Sequence, residues 1–532
     1  MLAPLGLSLV FDAALADTVT APHPRFARHP DNVFTRMFPD LPSFAQQSDN
    51  ARRAVQLMAA RHGMIDADDN LTDPIQSITN PGVFSPNNPD NPAMTAGMTF
   101  LGQFLDHDIT FDKRSLLNAN ANPMRTVNFR TAAFDLDSVY GEGPTGSPEL
   151  NERSAGRIKF ILQPIPGSEA VSRHGAVRND VPRDASGVAI VAESRNDENV
   201  VISQMQVALL SFHNAVTDYL SGQAAYQNAS ADRIFQDARK LVTWHYQWII
   251  LHEFLPRTIG QDRLDQLMRE GLKYYQPKDP VNRFRTSGGQ DMPRIPIEFS
   301  ASVYRFGHSQ IRPSYRVNFG PTGGTPFFAF LFDDTQDPAS PDPNDLRGGK
   351  RAARRFVDWQ TFFDFGDGNA RNNKRIDGKL SSVLMELPGS RAPSPGLPAD
   401  GVQSLPARTL SRHVNFGIPS GQAIARKMQL PALAPSALRD LAPYALDNQT
   451  TMDTSTPLFE YILKEAEVLE SGTRLGPVGA RIVGEVFLGL LQEDRTAYLS
   501  AYPGWKPTLP STTPGDFRMS DLLTFAGVVP PL

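Results

Sequence analysis

From Thr99 to Phe111 the chain reads TFLGQFLDHDITF, an apolar run of helical character with three consecutive polar residues, Asp106, His107 and Asp108, set inside it. A helix turns about 100° per residue, so these three side chains fan over about 200° and need separate partners. Gln103 lies one turn before His107 on the same face. Such a cluster fits either a helix end whose polar residues meet water or a buried site where each group is paired or binds metal. Apolar residues recur at helical spacing over 199–220 and again over 230–255, an expected central pair. The stretch 296–313 reads as a helix ended by Pro313, and further helices are expected at about 420–429, 457–471 and 476–498. Residues 20–98, rich in Pro, Asn and Asp, read as a wrapping arm with little regular structure. Loops rich in Pro, Asp and Ser are expected at 333–348 and 390–404. Strand alternation is scarce. The expected fold is mainly α: one large domain over 31–532 with long loops and very little strand, preceded by a flexible N-terminal segment, 1–30.

Composition narrows the chemistry. The 532 residues are 40% hydrophobic with a formal charge of -5 and no Lys/Arg-rich run, so nucleic acid is not an expected partner. The absence of cysteine excludes disulfides, thiolate metal sites and cysteine nucleophiles. No apolar run approaches the ~20 residues of a spanning helix. The first residues lack a basic region and are broken by Asp12, so a soluble protein without a cleaved signal peptide is expected. Composition leaves secretion, cytoplasmic residence and oligomeric state open.

Three further places carry chemistry. Thr131, Ala133, Asp135 and Asp137 alternate along an extended loop, NFRTAAFDLDSVYGEG, and can gather a hydroxyl, a backbone carbonyl and two carboxylates round one hard cation. The set lacks the Gly and Glu of an EF-hand and is too small for calcium without a remote carboxylate, for which Asp108 is the candidate; a solvated acidic turn is the alternative. Arg195, in VAESRNDENVV, enters a long helix with Glu198 one turn away, which suits a salt bridge or cap there, or stabilisation of a developing anion. His308, in VYRFGHSQIRP, follows Gly307, with Arg305 one turn earlier, and is either a packed core histidine or a ligand. His213, His245 and His252 read as structural. GxSxG, HExxH, P-loop and GxGxxG sequences are absent.

In order, LGQFLDHDITF, TAAFDLDSVYG, ESRNDEN, YRFGHS and ARTLSRHVNFGIPSGQ resemble the animal-type haem peroxidases of the peroxidase-cyclooxygenase superfamily, in its bacterial branch, from about residue 30 to about 500. The resemblance implies haem b, calcium, and reduction of hydrogen peroxide through an oxoferryl intermediate, with oxidation of a small organic molecule or a halide. It implies His107 as distal histidine, Arg195 as distal arginine, Gln103 as the residue ordering water or halide, and His308 as proximal iron ligand. Asp106 and Glu198 match carboxylates that become ester-linked to haem in animal relatives, a link left open here. Asp108, Thr131, Ala133, Asp135 and Asp137 match the calcium site. Two positions depart from the pattern: Thr409 stands where an Asn usually supports the proximal histidine, and Asn199 where some relatives carry a haem-bonded methionine. The rivals are a fatty-acid dioxygenase, whose relatives place a radical tyrosine where this chain has Arg305 (Tyr304 is one residue earlier), and a calcium-stabilised binding or adhesion protein without turnover.

Overall fold

The computed structural model describes residues 30–286, 289–388 and 403–529; the expected segment 1–30 lies almost wholly outside them. Its frame is helical: α1 (Asp49–Met58), α2 (Ala96–Ile109), α3 (Val200–Ser221), α4 (Ala231–Ile249), α5 (Leu255–Ile259), α6 (Leu405–Phe416), α7 (Gly421–Lys427), α8 (Leu458–Glu470) and α9 (Pro477–Glu493) are its principal helices. Strands occur as short antiparallel pairs. Among them β1 (Asp90–Thr95) pairs with β4 (Asn372–Lys374), and β2 (Ser314–Asn318) with β3 (Phe327–Phe330).

The central helix is α2, and all fourteen of its residues are buried. A helix that is apolar nearly all round belongs inside a protein. It packs against α3, β4 and the segment carrying His308. Gly97 permits the closest approach, since a Cβ there would lie 2.6 Å from the Phe363 ring. The N-terminus of α3 is capped by Asn199, whose side chain accepts from the Ile202 N–H at 3.0 Å.

Four expectations are corrected. The arm 20–98 contains α1, held by a Ser48 cap, as well as short helices Pro74–Thr79 and Pro81–Phe84 and strand β1; caps and prolines at helix starts outweigh its loop-like composition. The 296–313 stretch is not one helix. It is a single α-turn, Ile297–Ser300, and a 3₁₀ segment, Val303–Gln310, separated by Ser302 at φ -135°, ψ -86°. The helix expected to end near 255 changes to a π-turn over Ile250–Phe254 and resumes as α5; Pro256 lacks an N–H and its ring crowds the preceding turn. Finally, α6 was not expected: Ala407, Leu410 and Val414 recur at helical spacing, but the polar residues opposite them are buried too, and all twelve residues of the helix lie inside, Arg408 and Arg412 included.

Candidate active site

Gln103, Asp106, His107 and Asp108 are all fully buried, which overturns the water-facing alternative for this helix end. Their fan of directions leads to separate partners. Asp106 Oδ1 accepts from Thr110 Oγ1 at 2.8 Å, while Oδ2 makes no hydrogen bond and lies 3.9 Å from Arg195 Nη1. Burial raises this carboxyl above its ordinary range, against the opposing charges of Arg305 and Arg195.

His107 Nδ1 is 2.9 Å from Asn196 Oδ1, and Asn196 Nδ2 donates to Gln206 Oε1 at 2.9 Å. That second bond orients the amide so that its oxygen faces the ring; Nδ1 then carries the proton and Nε2 the lone pair. Burial, reinforced by the Arg195 charge, holds the imidazole well below its usual pKa, so it is neutral at neutral pH. Nε2 stands 3.8 Å from Glu198 Oε2, which accepts from Gln103 Nε2 at 3.2 Å. Gln103 Oε1 is buried without a hydrogen-bond partner.

Arg195 does not pair with Glu198. It lies in a 3₁₀ turn, Ser194–Asp197, whose N-cap is Glu193, and its Nε and Nη2 donate to the two Glu193 oxygens at 3.0 and 3.1 Å. Burial alone would raise the Glu193 carboxyl, but Arg195 and Arg130 bring it down to about 2. Arg195 Nη2 also donates to the His107 and Thr110 carbonyls at the C-terminus of α2, a place that favours a cation. Glu198 is turned towards α2 instead, held by the Gly348 N–H, which donates to its carbonyl at 2.8 Å.

On the other side, His308 is fully buried in an eight-residue 3₁₀ segment, longer than such helices usually run. Its Nδ1 is 3.5 Å from Thr409 Oγ1, at the outer limit of a hydrogen bond. Thr409 Oγ1 donates to the Leu405 carbonyl at 3.2 Å, leaving its lone pairs for the imidazole N–H. His413, one turn further along α6, braces the same region: its Nδ1 donates to the Thr409 carbonyl, and its Nε2 lies 2.8 Å from Ser302 Oγ and accepts from the Phe459 N–H. Arg305 Nε donates to the Ser300 carbonyl at 2.8 Å, and its charge reaches Asp106 and His107. The His308 segment therefore faces the α2 end. Arg195, Arg305 and Arg412 line one narrow cleft between them. Tyr304 is buried against Phe299 and Phe487, and its hydroxyl donates to the Gly102 carbonyl at 3.1 Å.

The acidic loop closes on α2. Oxygens of Asp108, Asp135 and Asp137 lie within 4.8 Å of one another. Burial and the neighbouring Asp137 charge push Asp108 up to about 7, and burial with Asp137 and Asp108 raises Asp135 well above its ordinary range. Thr131 donates through its N–H and Oγ1 to Asp137 Oδ2, at 3.1 and 2.8 Å. Ala133 is buried in the same loop, its methyl packed with Phe284 and Met292. Leu136 takes a left-handed conformation, φ 58°, which lets its N–H donate to Asp108 Oδ2 at 3.2 Å. A bulky residue there is strained, as residues beside ligand clamps often are.

Of the other helix histidines, His213 and His245 are buried and His252 is exposed. His213 lies 3.0 Å from the Tyr140 hydroxyl, His245 lies between the Leu241 carbonyl and the Leu509 N–H, and His252 lies 3.1 Å from the Tyr498 hydroxyl. Sequence reasoning missed Glu193, Asn196, Gln206 and His413. Asn196 and Glu193 flank Arg195 in one short motif, and that adjacency was the available signal.

The fold is mainly α and buries a neutral histidine, an arginine and two carboxylates opposite a second buried histidine. Residues 112–326 match the family model for the animal haem peroxidases. Human thyroid peroxidase is 25% identical over 213 residues, 37% of this chain and 21% of that protein. A peroxidase of Drosophila melanogaster is 28% identical over 204 residues, 38% of this chain and 28% of the relative. The chain spans about a fifth of the length of the thyroid peroxidases it matches. In fold it is similar to peroxidase A of Dictyostelium discoideum, with a TM-score of 0.56 at 16% identity over 89% of this chain and 91% of that one. It is also similar in fold to a fatty acid alpha-dioxygenase of Arabidopsis thaliana, with a TM-score of 0.53 at 13% identity over 94% and 76%. The family match contains Arg195, Glu198, Arg305, His308 and the acidic loop but begins just after α2. Gln103, Asp106, His107 and Asp108 lie outside the matched stretch.

Proposed function

We propose that this chain is a haem-dependent peroxidase that reduces hydrogen peroxide and oxidises a small organic molecule or a halide. The observation that carries this reading is His107: buried, neutral, and fixed through Asn196 and Gln206 so that Nε2 is the base. The residues fit haem. Gln103 Oε1 and Asp106 Oδ2 are buried polar atoms without a hydrogen bond beside that base, and a histidine whose Nδ1 faces Thr409 presents Nε2 as the ligating atom. His308 would hold the iron, and Arg305 and Arg412, which line the cleft, would supply cations for the haem carboxylates. Asp106 and Glu198 each have one oxygen engaged, by Thr110 and by Gln103, so neither is favoured over the other for an ester link.

Bound haem supplies the redox chemistry that splits the O–O bond. His107 Nε2 takes the proton from the near oxygen of peroxide and returns it to the departing one. Arg195 supplies the positive field that favours the charge developing there. Gln103 orders a water or halide beside Glu198. The dioxygenase alternative is favoured only by fold likeness. Peroxide with a phenol is expected to give product, and linoleate with oxygen none; lipid oxygenation abolished by Tyr304→Phe would reverse the assignment.

We further assign calcium to Asp108, Asp135, Asp137 and Thr131, with the Ala133 carbonyl. Carboxylates whose own repulsion and burial drive them towards protonation are the natural counterpart of a buried divalent cation. Exhaustive chelation is expected to lower the melting temperature and slow the reaction with peroxide, both restored by calcium in the wild type but not in Asp135→Asn. Protons compete for the same oxygens, so calcium affinity should weaken as pH falls through about 7, where Asp108 takes a proton. Unchanged melting and turnover after chelation would remove the ion from the site.

A further inference from the structure

At the tip of the β2–β3 hairpin lies a cavity of about 460 Å³, none of whose lining residues belongs to the sites above. That is the size of a small-molecule pocket. Its walls are cationic and aromatic. Arg173 and Arg316 both stand over the Phe319 ring, their guanidinium carbons 3.9 and 5.0 Å from its centroid, which holds two flexible side chains beside one another. Among the described residues neither they nor the neighbouring Arg371 forms an ion pair.

Arg316 Nη2 donates to the carbonyl and side-chain oxygens of Asn369, at 2.8 and 3.3 Å, but its Nε is buried with no hydrogen-bond partner. The acids acting on Arg316 are Asp367 and Asp358, and Asp358 is already paired with Arg178. Burial and the like charges of Arg371 and Arg173 bear on the same guanidinium. Unmatched cations packed together are costly unless an anion joins them. The frame is built for this shape: His174 takes a left-handed conformation, φ 57°, and its N–H donates to Thr322 Oγ1 at 3.3 Å, tying the 173–175 turn to the hairpin loop.

We propose that this cavity binds a small organic anion, its carboxylate or phosphate group on Arg173 and Arg316 and its apolar body against Phe319, Pro321 and Pro326. The cavity exceeds what a bare oxyanion fills, so the apolar wall selects a ligand with a carbon skeleton. The site is independent of the haem reading.

Isothermal titration of the full chain, with and without added haem, against benzoate, phenyl phosphate and inorganic phosphate tests this. One saturable site for benzoate or phenyl phosphate is expected, unchanged by haem, and the tighter of the two identifies the anionic group. Arg316→Ala should weaken it by about tenfold or more, the loss of a charge-assisted hydrogen bond. Arg173→Ala should do the same, with Arg173→Lys between it and wild type. No saturable binding of either organic probe, binding of inorganic phosphate alone, or wild-type affinity in Arg173→Ala with an unchanged circular dichroism spectrum would each overturn the proposal.

Discussion

His308→Ala is expected to give a folded protein that takes up no haem, with no Soret band after reconstitution under conditions where the wild type shows one. The chain has no cysteine to supply a thiolate, and among the described residues the other buried histidines are committed elsewhere. His213 faces Tyr140 and Thr217; His245 lies between the Leu241 carbonyl and the Leu509 N–H; His413 is held by Thr409, Ser302 and Phe459. His107 is fixed on Asn196. His308, by contrast, sits on a segment braced by α6, with Thr409 oriented to receive the N–H of its ring. Truncating a fully buried imidazole also opens a cavity, so loss of haem alone could reflect loss of fold. Added imidazole separates the two: in a folded variant it should enter the cavity and restore the Soret band. A wild-type spectrum in His308→Ala without imidazole would remove this residue from its role.

The helical frame was legible because its longest members obey periodicity: α3, α8 and α9 begin within two residues of where apolar spacing puts them. α6 was not: its polar face of Arg408, Ser411, Arg412 and Asn415 is buried along with its apolar one, and its arginines and histidine resemble surface residues until their partners are seen. The site was legible in its residues and not in its pairings. Angular spread correctly demanded separate partners for Asp106, His107 and Asp108, but the partner of Arg195 could not be chosen from spacing. Glu198 and Glu193 are both near in sequence, and the 3₁₀ turn at 194–197, with the Gly348 loop pressed on it, decided for Glu193. At Gly348 a Cβ would lie 1.6 Å from the Asp197 carbonyl oxygen, so a contact distant in sequence fixes which way Glu198 points. The same limit applies to Thr409, whose long approach to His308 depends on how α6 packs.

His107→Ala is expected to retain haem and to react with hydrogen peroxide about 10²- to 10⁴-fold more slowly, the usual contribution of a positioned general base. Stopped-flow absorbance after mixing with peroxide measures this directly. The base must be neutral to act, and here the pH dependence is informative. An unperturbed histidine would lose half its activity near pH 6.5; burial and Arg195 depress this one well below that value. Protonation of Nε2 therefore begins only at more acid pH, and the wild-type rate constant should stay level from pH 8 to pH 6 before declining. Asn196→Asp offers the converse. A carboxylate in place of the amide oxygen would stabilise the imidazolium, raise the histidine pKa and bring the decline into the neutral range. If wild type instead titrates near 6.5, the base is a solvent-exposed group and not His107. If His107→Ala keeps the wild-type rate, the proton is carried by another route, for which Glu198, 3.8 Å from Nε2, is the nearest carboxylate.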